Sequence, residues 1–527
     1  MPILPPQLGW KGSHMVDGED KKQSQDGAKS ASADPCPTSD NKVAKRNRKR
    51  QAVQLLEIAE RYDLFRDELN EAFIAVPVEN QIQVMRVGGT RFAQFLRREF
   101  FHKKGSPPQE NQLKVGIGQI KASVEFNGPI RPLHNRVAWL EDDIIYDMCD
   151  QELGALRVGE GGWNLMPLPV AFRPHSHQKA QLKPVTGGNL DRLFEFVPIS
   201  DEGQQLLLMV WIVSCLIPSI PHPILVVHGV QGSGKTTTCR LLRNLIDPAE
   251  IDTMSLPRDA NDLVMILDQH YCPAFDNVSG LTQHQSDVLC RAATGEAQVR
   301  RRLYTDDDAK IFKYRRPVIL NGIEAPATQP DLLDRSIMLE LSEVSGQHRR
   351  EEAEILAGFA EARPEILGGM FDALASARRL WSSIKLDAMP RMADFAKWGC
   401  AIALGLGREG DEFSRAYTTN IKDHREEAAG NDPVVQAVLK LMENREVWEG
   451  SATDLGQALE ATGGSLGLSR HTPGWPQGPQ ALSGRLARLE PVLKSQGIVF
   501  SKKHSGDRKI RLVQVVNEDG VDGMDGE

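Results

Sequence analysis

The sequence predicts an α/β protein: a parallel-sheet core built around a glycine-rich loop, with an α+β domain before it and a helix-plus-hairpin module after it. Three observations predict this. The run ILVVHGVQGSGKTTTCRLL, Ile224 to Leu242, passes from an apolar strand through a loop of small residues into a helix. Two more apolar strands, Tyr271–Phe275 and the stretch RRPVILNG, deliver Asp276 and Asn321 at their ends. Near the C-terminus, helices are followed by strand–turn–strand, which is the winged-helix order.

The totals agree with a chain of several domains. At 527 residues it exceeds what one hydrophobic core organises. The net charge of −8 argues against a uniformly basic coat for nucleic acid, so any DNA contact must come from local clusters. Seven scattered cysteines with no CxxC pair read as reduced thiols rather than a disulfide framework or a zinc site. The longest apolar run, LLLMVWIVSCLIPSI from Leu206 to Ile220, is short for a bilayer crossing and reads as a buried helix. No secretory signal is visible, so a cytoplasmic protein with no membrane partner is expected.

Along the chain, residues 1–50 read as a tag followed by a disordered basic tail. GSHM at Gly12–Met15 has the form of a cloning remnant, and NKVAKRNRKR closes the segment. Residues 51–190 predict an α+β domain: AVQLLEIAERYDLF and TRFAQFLRREFF have helical spacing, while AFIAVPV and VAWLEDDIIYDM are strand-like. Glu141, Asp142 and Asp143 read as a hairpin turn rather than a metal site, because no second carboxylate cluster matches them. The phosphate-binding core covers 191–345, helical segments 346–431, the winged-helix module 432–516 with Ser451 as a helix N-cap, and an acidic tail 517–527.

Gly229-Val230-Gln231-Gly232-Ser233-Gly234-Lys235-Thr236 matches G-x-x-x-x-G-K-[ST]. Glycines let the backbone curl so that successive N–H groups, continuing through Thr237, point at phosphate oxygens, and the helix adds its positive end. Lys235 neutralises the β and γ phosphates, and Thr236 with Asp276 supplies oxygen ligands for Mg²⁺. ATP and Mg²⁺ are therefore the expected ligands. Asn277 follows the metal-binding acid where many ring ATPases carry a second acid. Asparagine orients water but cannot accept its proton. Asn321 is placed to sense the γ-phosphate, and Arg335 in PDLLDRS to act as an arginine finger in a neighbour's site, with a surface ion pair as the competing reading.

Between the acid and Asn321, GEAQVRRRLYTDDDAKIFKYRRP reads as an inserted hairpin. Arg300, Arg301, Arg302, Lys310 and Lys313 are its candidate DNA contacts, although its acidic tip equally fits a surface hairpin or a contact with a neighbouring subunit. In the C-terminal module the basic residues Arg485, Arg488, Lys494, Lys502, Lys503, Arg508, Lys509 and Arg511 form a second candidate DNA surface.

The segments HGVQGSGKTTTCRLLRNLIDP, FDNVSGL, LCRAATGE, RRLYTDDDAKIFKYRRPVILNGIE, PDLLDRSIMLEL and PRMADFAKWG resemble the AAA+ ATPase-helicases of prophages and other mobile elements. That family is related to superfamily 3 helicases and poxvirus-type primase-helicases. The resemblance implies a P-loop AAA+ core of superfamily 3 type with a helical lid. It implies a ring, a hexamer by analogy, that hydrolyses ATP at subunit interfaces, translocates on single-stranded or forked DNA and works with partners such as a primase. It assigns Arg391 to a lid contact with nucleotide. The alternative is an ATP-switched DNA-binding assembly, loader or phage-defence ATPase with little unwinding.

Overall fold

The computed structural model describes residues 51–515 except 79–80, 151, 170, 297, 302–308, 313, 323–328, 344–348, 473 and 504–508. The N-terminal unit holds α1 (residues 51–59), β1 (Asp63–Arg66), β2 (Ala72–Val78), β3 (Gln81–Arg86), α2 (Thr90–Lys104) and α3 (Glu110–Asn127). Its strands form an antiparallel meander. The apolar stripe of α2, Phe92, Phe95, Leu96 and Phe100, closes a core with Leu55, Ile74 and Ile120.

Four more strands follow: β4 (Val137–Leu140), β5 (Asp143–Asp150), β6 (Gly154–Gly159) and β7 (Gly162–Met166), a second antiparallel meander. Residues 51–190, expected as one α+β domain, thus carry two separate sheets, and the second belongs with what comes after it. The reason lies in β5, which is apolar on both faces. Ile144, Tyr146 and Met148 join the large central core, while Ile145 packs with Ala138 and Ala155 on the other side. Glu141, at φ 55, and Asp142 make the turn between β4 and β5.

The central unit comprises α4 (Glu202–Ser214), β8 (Ile224–His228), α5 (Lys235–Ile246), β9 (Met254–Ser255), α6 (Ala260–Gln269), β10 (Ala274–Asp276) and α7 (Gln283–Thr294). It continues with β11 (Gln298–Arg301), β12 (Ala309–Phe312), β13 (Ile319–Asn321), α8 (Pro330–Leu333) and β14 (Ser336–Glu340). Five parallel strands form one sheet in the order β14-β8-β13-β10-β9. Ile224 to Val227 of β8 are wholly buried, as a strand covered by helices on both faces must be. Helix α4, from the apolar run noted above, is buried from Leu206 to Ser214, and Trp211 Nε1 donates to Pro223 O at 2.7 Å. Among the described residues no helix is long and apolar enough to cross a membrane.

Helices α9 (Glu352–Leu380), α10 (Ala393–Gly405) and α11 (Gly410–Gly430) pack on α4 and on one another. The C-terminal unit contains α12 (Pro433–Met442), β15 (Val447–Ser451), α13 (Ala452–Gly463), α14 (Pro479–Ser495), β16 (Ile498–Lys503) and β17 (Lys509–Gln514). Its antiparallel sheet runs β15-β17-β16 over a core of Val434, Val438, Leu455, Leu486 and Leu512. Ser451 caps α13: its Oγ accepts from Asp454 N at 3.1 Å, and the Asp454 carboxylate accepts from Ser451 N at 2.9 Å.

Candidate functional site

The glycine loop joins β8 to α5 at the carboxyl edge of the parallel sheet, where ligands bind in open α/β folds. Gly229, Gly232 and Gly234 take φ values of 142°, 85° and 81°, a region closed to most side chains. A Cβ on Gly229 would also stand 2.9 Å from Leu341 O. Gln231 is exposed at the loop's crest, and Thr237 is half-buried in the first turn of α5. Ser233 is fully buried, yet its Oγ has no hydrogen-bond partner among the described residues. A buried hydroxyl without a partner is a group that calls for an explanation, and it lies in the loop expected to receive phosphate. Lys235 Nζ donates to Gly229 O and Val230 O, both at 2.8 Å. Thr236 Oγ1 donates to Asp276 Oδ1 at 3.0 Å, so the two expected metal ligands already adjoin.

Asn321 stands at the end of β13, next to both β8 and β10. Only 2% of it is exposed. Its Oδ1 accepts from Asn277 N at 2.9 Å, and its Nδ2 reaches Cys239 Sγ at 3.4 Å. The side chain is therefore a brace between the acidic strand and α5. Burial pushes the Cys239 thiol up to about 12, so it stays protonated as a neutral partner. Asn277 itself is exposed and sits at φ 54, a left-handed conformation that asparagine adopts more readily than most residues.

Arg335, expected to project toward a neighbour, folds onto its own chain. Its side chain is 13% exposed and pairs with Asp331 Oδ1 at 2.6 Å, four residues earlier. Hydrogen bonding from Arg335 holds the Asp331 carboxyl below the usual carboxylate range. Arg391, expected as a lid contact with nucleotide, instead pairs with Asp331 and, at 3.2 Å, with Asp334. Arg425 also holds Asp334. Two carboxylates one helical turn apart thus gather three guanidinium groups, which spacing alone did not reveal.

Sequence motifs missed Arg349. Its Nη2 lies 3.2 Å from the point a Cβ on Gly232 would occupy, so the guanidinium borders the glycine loop. The only sequence signal is the pair Arg349-Arg350 just ahead of α9. If the loop takes ATP, as the sequence predicts, Arg349→Ala is expected to raise the KM for ATP about tenfold, the worth of one charge-assisted hydrogen bond, with the melting temperature unchanged. Steady-state hydrolysis across ATP concentrations reads this.

The basic surfaces are placed less evenly. β11 and β12 pair antiparallel as a hairpin standing apart from the main sheet. Arg302, Lys313 and Arg508 lie outside the described residues, as do the side chains of Arg300, Arg301, Lys310 and Lys503. Arg485, expected on a DNA surface, pairs with Asp432, the N-cap of α12, at 2.6 Å. Lys502 Nζ donates to Ser483 O at 2.7 Å, so both tie the unit's own elements together. Arg488 is exposed.

At the far end of α5 lies a buried charged node. Asp247, wholly buried, pairs with Arg136 Nε at 3.2 Å and Arg243 Nη2 at 4.0 Å. It also accepts from Cys272 N at 3.2 Å, just ahead of β10. Arg243 contacts His270 Nδ1 at 2.8 Å, and the rings of His270 and His177 stack 3.7 Å apart. Burial, joined by like-charged neighbours, pushes His175 and His270 down to about 3. These rings are neutral in the fold, while the unfolded chain takes up protons first as pH falls. Stability is therefore expected to decline progressively as pH drops below the ordinary histidine value near 6.5 toward 3. Urea titrations at pH 7.5 and 5 measure the loss, and an unchanged midpoint contradicts it.

Residues 190–424 match the family model described as actinomycete integrative conjugative element replication protein. Residues 434–520 match the model of the AICE RepA C-terminal domain. The chain is a replication protein of a mobile element. No curated protein matches it. Among solved structures it is weakly similar to the apo C-terminal region of NrS-1. The TM-score is 0.40 at 14% identity, covering 88% of this chain and 98% of that one. A second apo structure of that region gives 0.39 at 15% identity, covering 88% and 99%.

Proposed function

We propose that this replication protein is an ATP-hydrolysing DNA helicase of the P-loop AAA+ class, with a helical lid over its core and a winged helix at its C-terminus. The observation that carries the reading is Thr236 bonded to Asp276 at the head of a loop whose glycines take left-handed conformations. The strand order supports it, because β8 lies between β13 and β14 and sets the loop beside the ends of both β10 and β13. The C-terminal helices and three-stranded sheet support a winged helix.

In this reading the loop amides and Ser233 receive the triphosphate. Lys235 exchanges the carbonyls of Gly229 and Val230 for phosphate oxygens, and Arg349 closes over the loop. Thr236 and Asp276 would hold a Mg²⁺ ion, which would supply charge neutralisation on the phosphates. Asn277, fixed through its backbone by Asn321, orients water without accepting its proton. A ring of subunits brings the Arg335–Arg391–Arg425 cluster against the neighbouring loop, where a phosphate displaces Asp331 and Asp334 from these cations. The hairpin and the C-terminal unit carry the DNA.

The test is strand displacement on forked duplexes of both polarities, with and without Lys235→Ala. Unwinding that requires ATP and Lys235 is expected. Hydrolysis with no unwinding on any fork would falsify the motor. A second reading, an ATP-switched DNA-binding assembly, is favoured by the folded-back Arg335 and by Asn277 in place of an acid. Nucleotide-dependent assembly with turnover indifferent to single-stranded DNA selects it.

A further inference from the structure

A cavity of about 490 Å³ opens between the N-terminal unit and the root of the β11–β12 hairpin, and no residue of the glycine loop lines it. Its walls carry three guanidinium groups, Arg173, Arg315 and Arg316, together with His175 and His222. The acids on the wall are already engaged. Asp67 and Asp268 hold Arg173 at 3.2 and 3.9 Å, and Glu68 acts on His134.

Arg315 and Arg316 have no carboxylate within ion-pair distance among the described residues. Arg315 Nε donates to Thr294 O at 3.0 Å and Nη1 to Ser219 O, which leaves Nη2. Arg316 donates to Leu267 O at 2.9 Å and Arg315 O at 3.0 Å. Burial pushes both guanidinium groups down from the ordinary arginine value, outweighing Asp394, which acts on Arg315, and Tyr271, Asp268 and Asp247, which act on Arg316. The backbone makes room for one of them: Gly295 sits at φ 88, and a Cβ there would collide with the Arg315 guanidinium.

His222 adds an independent sign. It is 1% exposed, lines the cavity, and its Nδ1 has no partner among the described residues. A buried polar atom without a partner in a polar cavity calls for a ligand. Forked guanidinium donors beside an imidazole match the several oxygens of phosphate better than a single carbonyl or a cation.

We propose that this cavity is a second anion site, separate from the glycine loop, that takes a phosphate group carried either by a free nucleotide-type compound or by a DNA strand. Arg173, Arg315 and His222 supply its donors. Arg315 and Arg316 follow β12 and precede β13, whose Asn321 braces Asn277. An occupant therefore sits on the segment between the hairpin and the glycine-loop site, against the N-terminal unit.

The experiment uses the full chain carrying Lys235→Ala, which silences the glycine loop, so failure of ATP hydrolysis and failure of this site are read separately. Pyrophosphate is titrated by calorimetry and a fluorescein-labelled oligothymidylate by anisotropy. At least one probe is expected to bind, and Arg315→Gln to weaken it about tenfold, as loss of a charge-assisted hydrogen bond does. Pyrophosphate binding identifies a free phosphate compound; oligonucleotide binding alone identifies a strand's backbone. Arg173→Gln, at a half-buried side chain, is expected to give a similar loss and serves if Arg315→Gln fails to fold. The proposal is overturned if neither probe binds, or if the folded variants bind both probes as tightly as the parent.

Discussion

Lys235→Ala is expected to lower ATP turnover by at least about a hundredfold, as loss of a preorganised charge at a reacting phosphate does. Among the described residues the ammonium's hydrogen-bond partners are main-chain carbonyls of its own loop, Gly229 O and Val230 O. It takes part in no ion pair among the described residues, so its removal leaves no buried charge unpaired. The melting temperature should therefore hold within a degree or two while hydrolysis collapses. Asp276→Asn should do likewise, because it keeps the bond to Thr236 but withdraws the charge that a divalent cation needs. Phosphate release assays and thermal melts on the same preparations separate the two effects. Turnover within about threefold of the parent, well short of what such charges supply, contradicts the assignment of the loop.

The second large effect is on stability. Asp247→Ala is expected to cost about 3–5 kcal/mol, the penalty for breaking a buried pair and leaving its partner charged. Arg136 and Arg243 are both fully buried, and Asp247 is the carboxylate that pairs with each. Burial by itself would raise the Asp247 carboxyl, but Arg136, Arg243, Cys272 N–H and His177 together hold it below its ordinary value. A depressed carboxylate contributes stability above its unfolded pKa and loses it as pH falls through the folded one. The wild-type advantage over Asp247→Ala should accordingly shrink toward acid. The node joins Arg136 at the start of the β4–β7 sheet to the end of α5 and the approach to β10. Its loss should therefore also reduce ATP hydrolysis where the protein remains folded. Urea unfolding at pH 7.5 and 4.5 tests the claim; a change below about 1 kcal/mol, the range of an exposed pair, would sink it.

Local patterns made a large part of the architecture legible. The glycine loop, the strands ending in Asp276 and Asn321, the buried helix α4, the paired strands β11 and β12 and the Ser451 cap are each written in a few neighbouring residues. Turn chemistry, capping and hydrophobic periodicity are short-range effects. The division of residues 51–190 was not legible, because a strand apolar on both faces does not name what covers it. The destination of the arginines was equally hidden. Arg335 and Arg391 meet at Asp331, Arg485 meets Asp432, and Arg349 arrives beside Gly232 from a linker without any motif.

By itself the amino-acid sequence determined where the glycine loop falls and which residues stand at the strand ends around it, since both follow from conformational freedom and period along a few residues. Only the tertiary structure decided which charges those residues answer to. A long cationic side chain has many acids within reach along the chain, and packing alone selects the one it meets. It likewise decided that Arg136, just ahead of β4, and Arg243 of α5 would share a single buried aspartate. In a low-dielectric interior such a pairing is settled by where the chain leaves no water, not by distance in sequence.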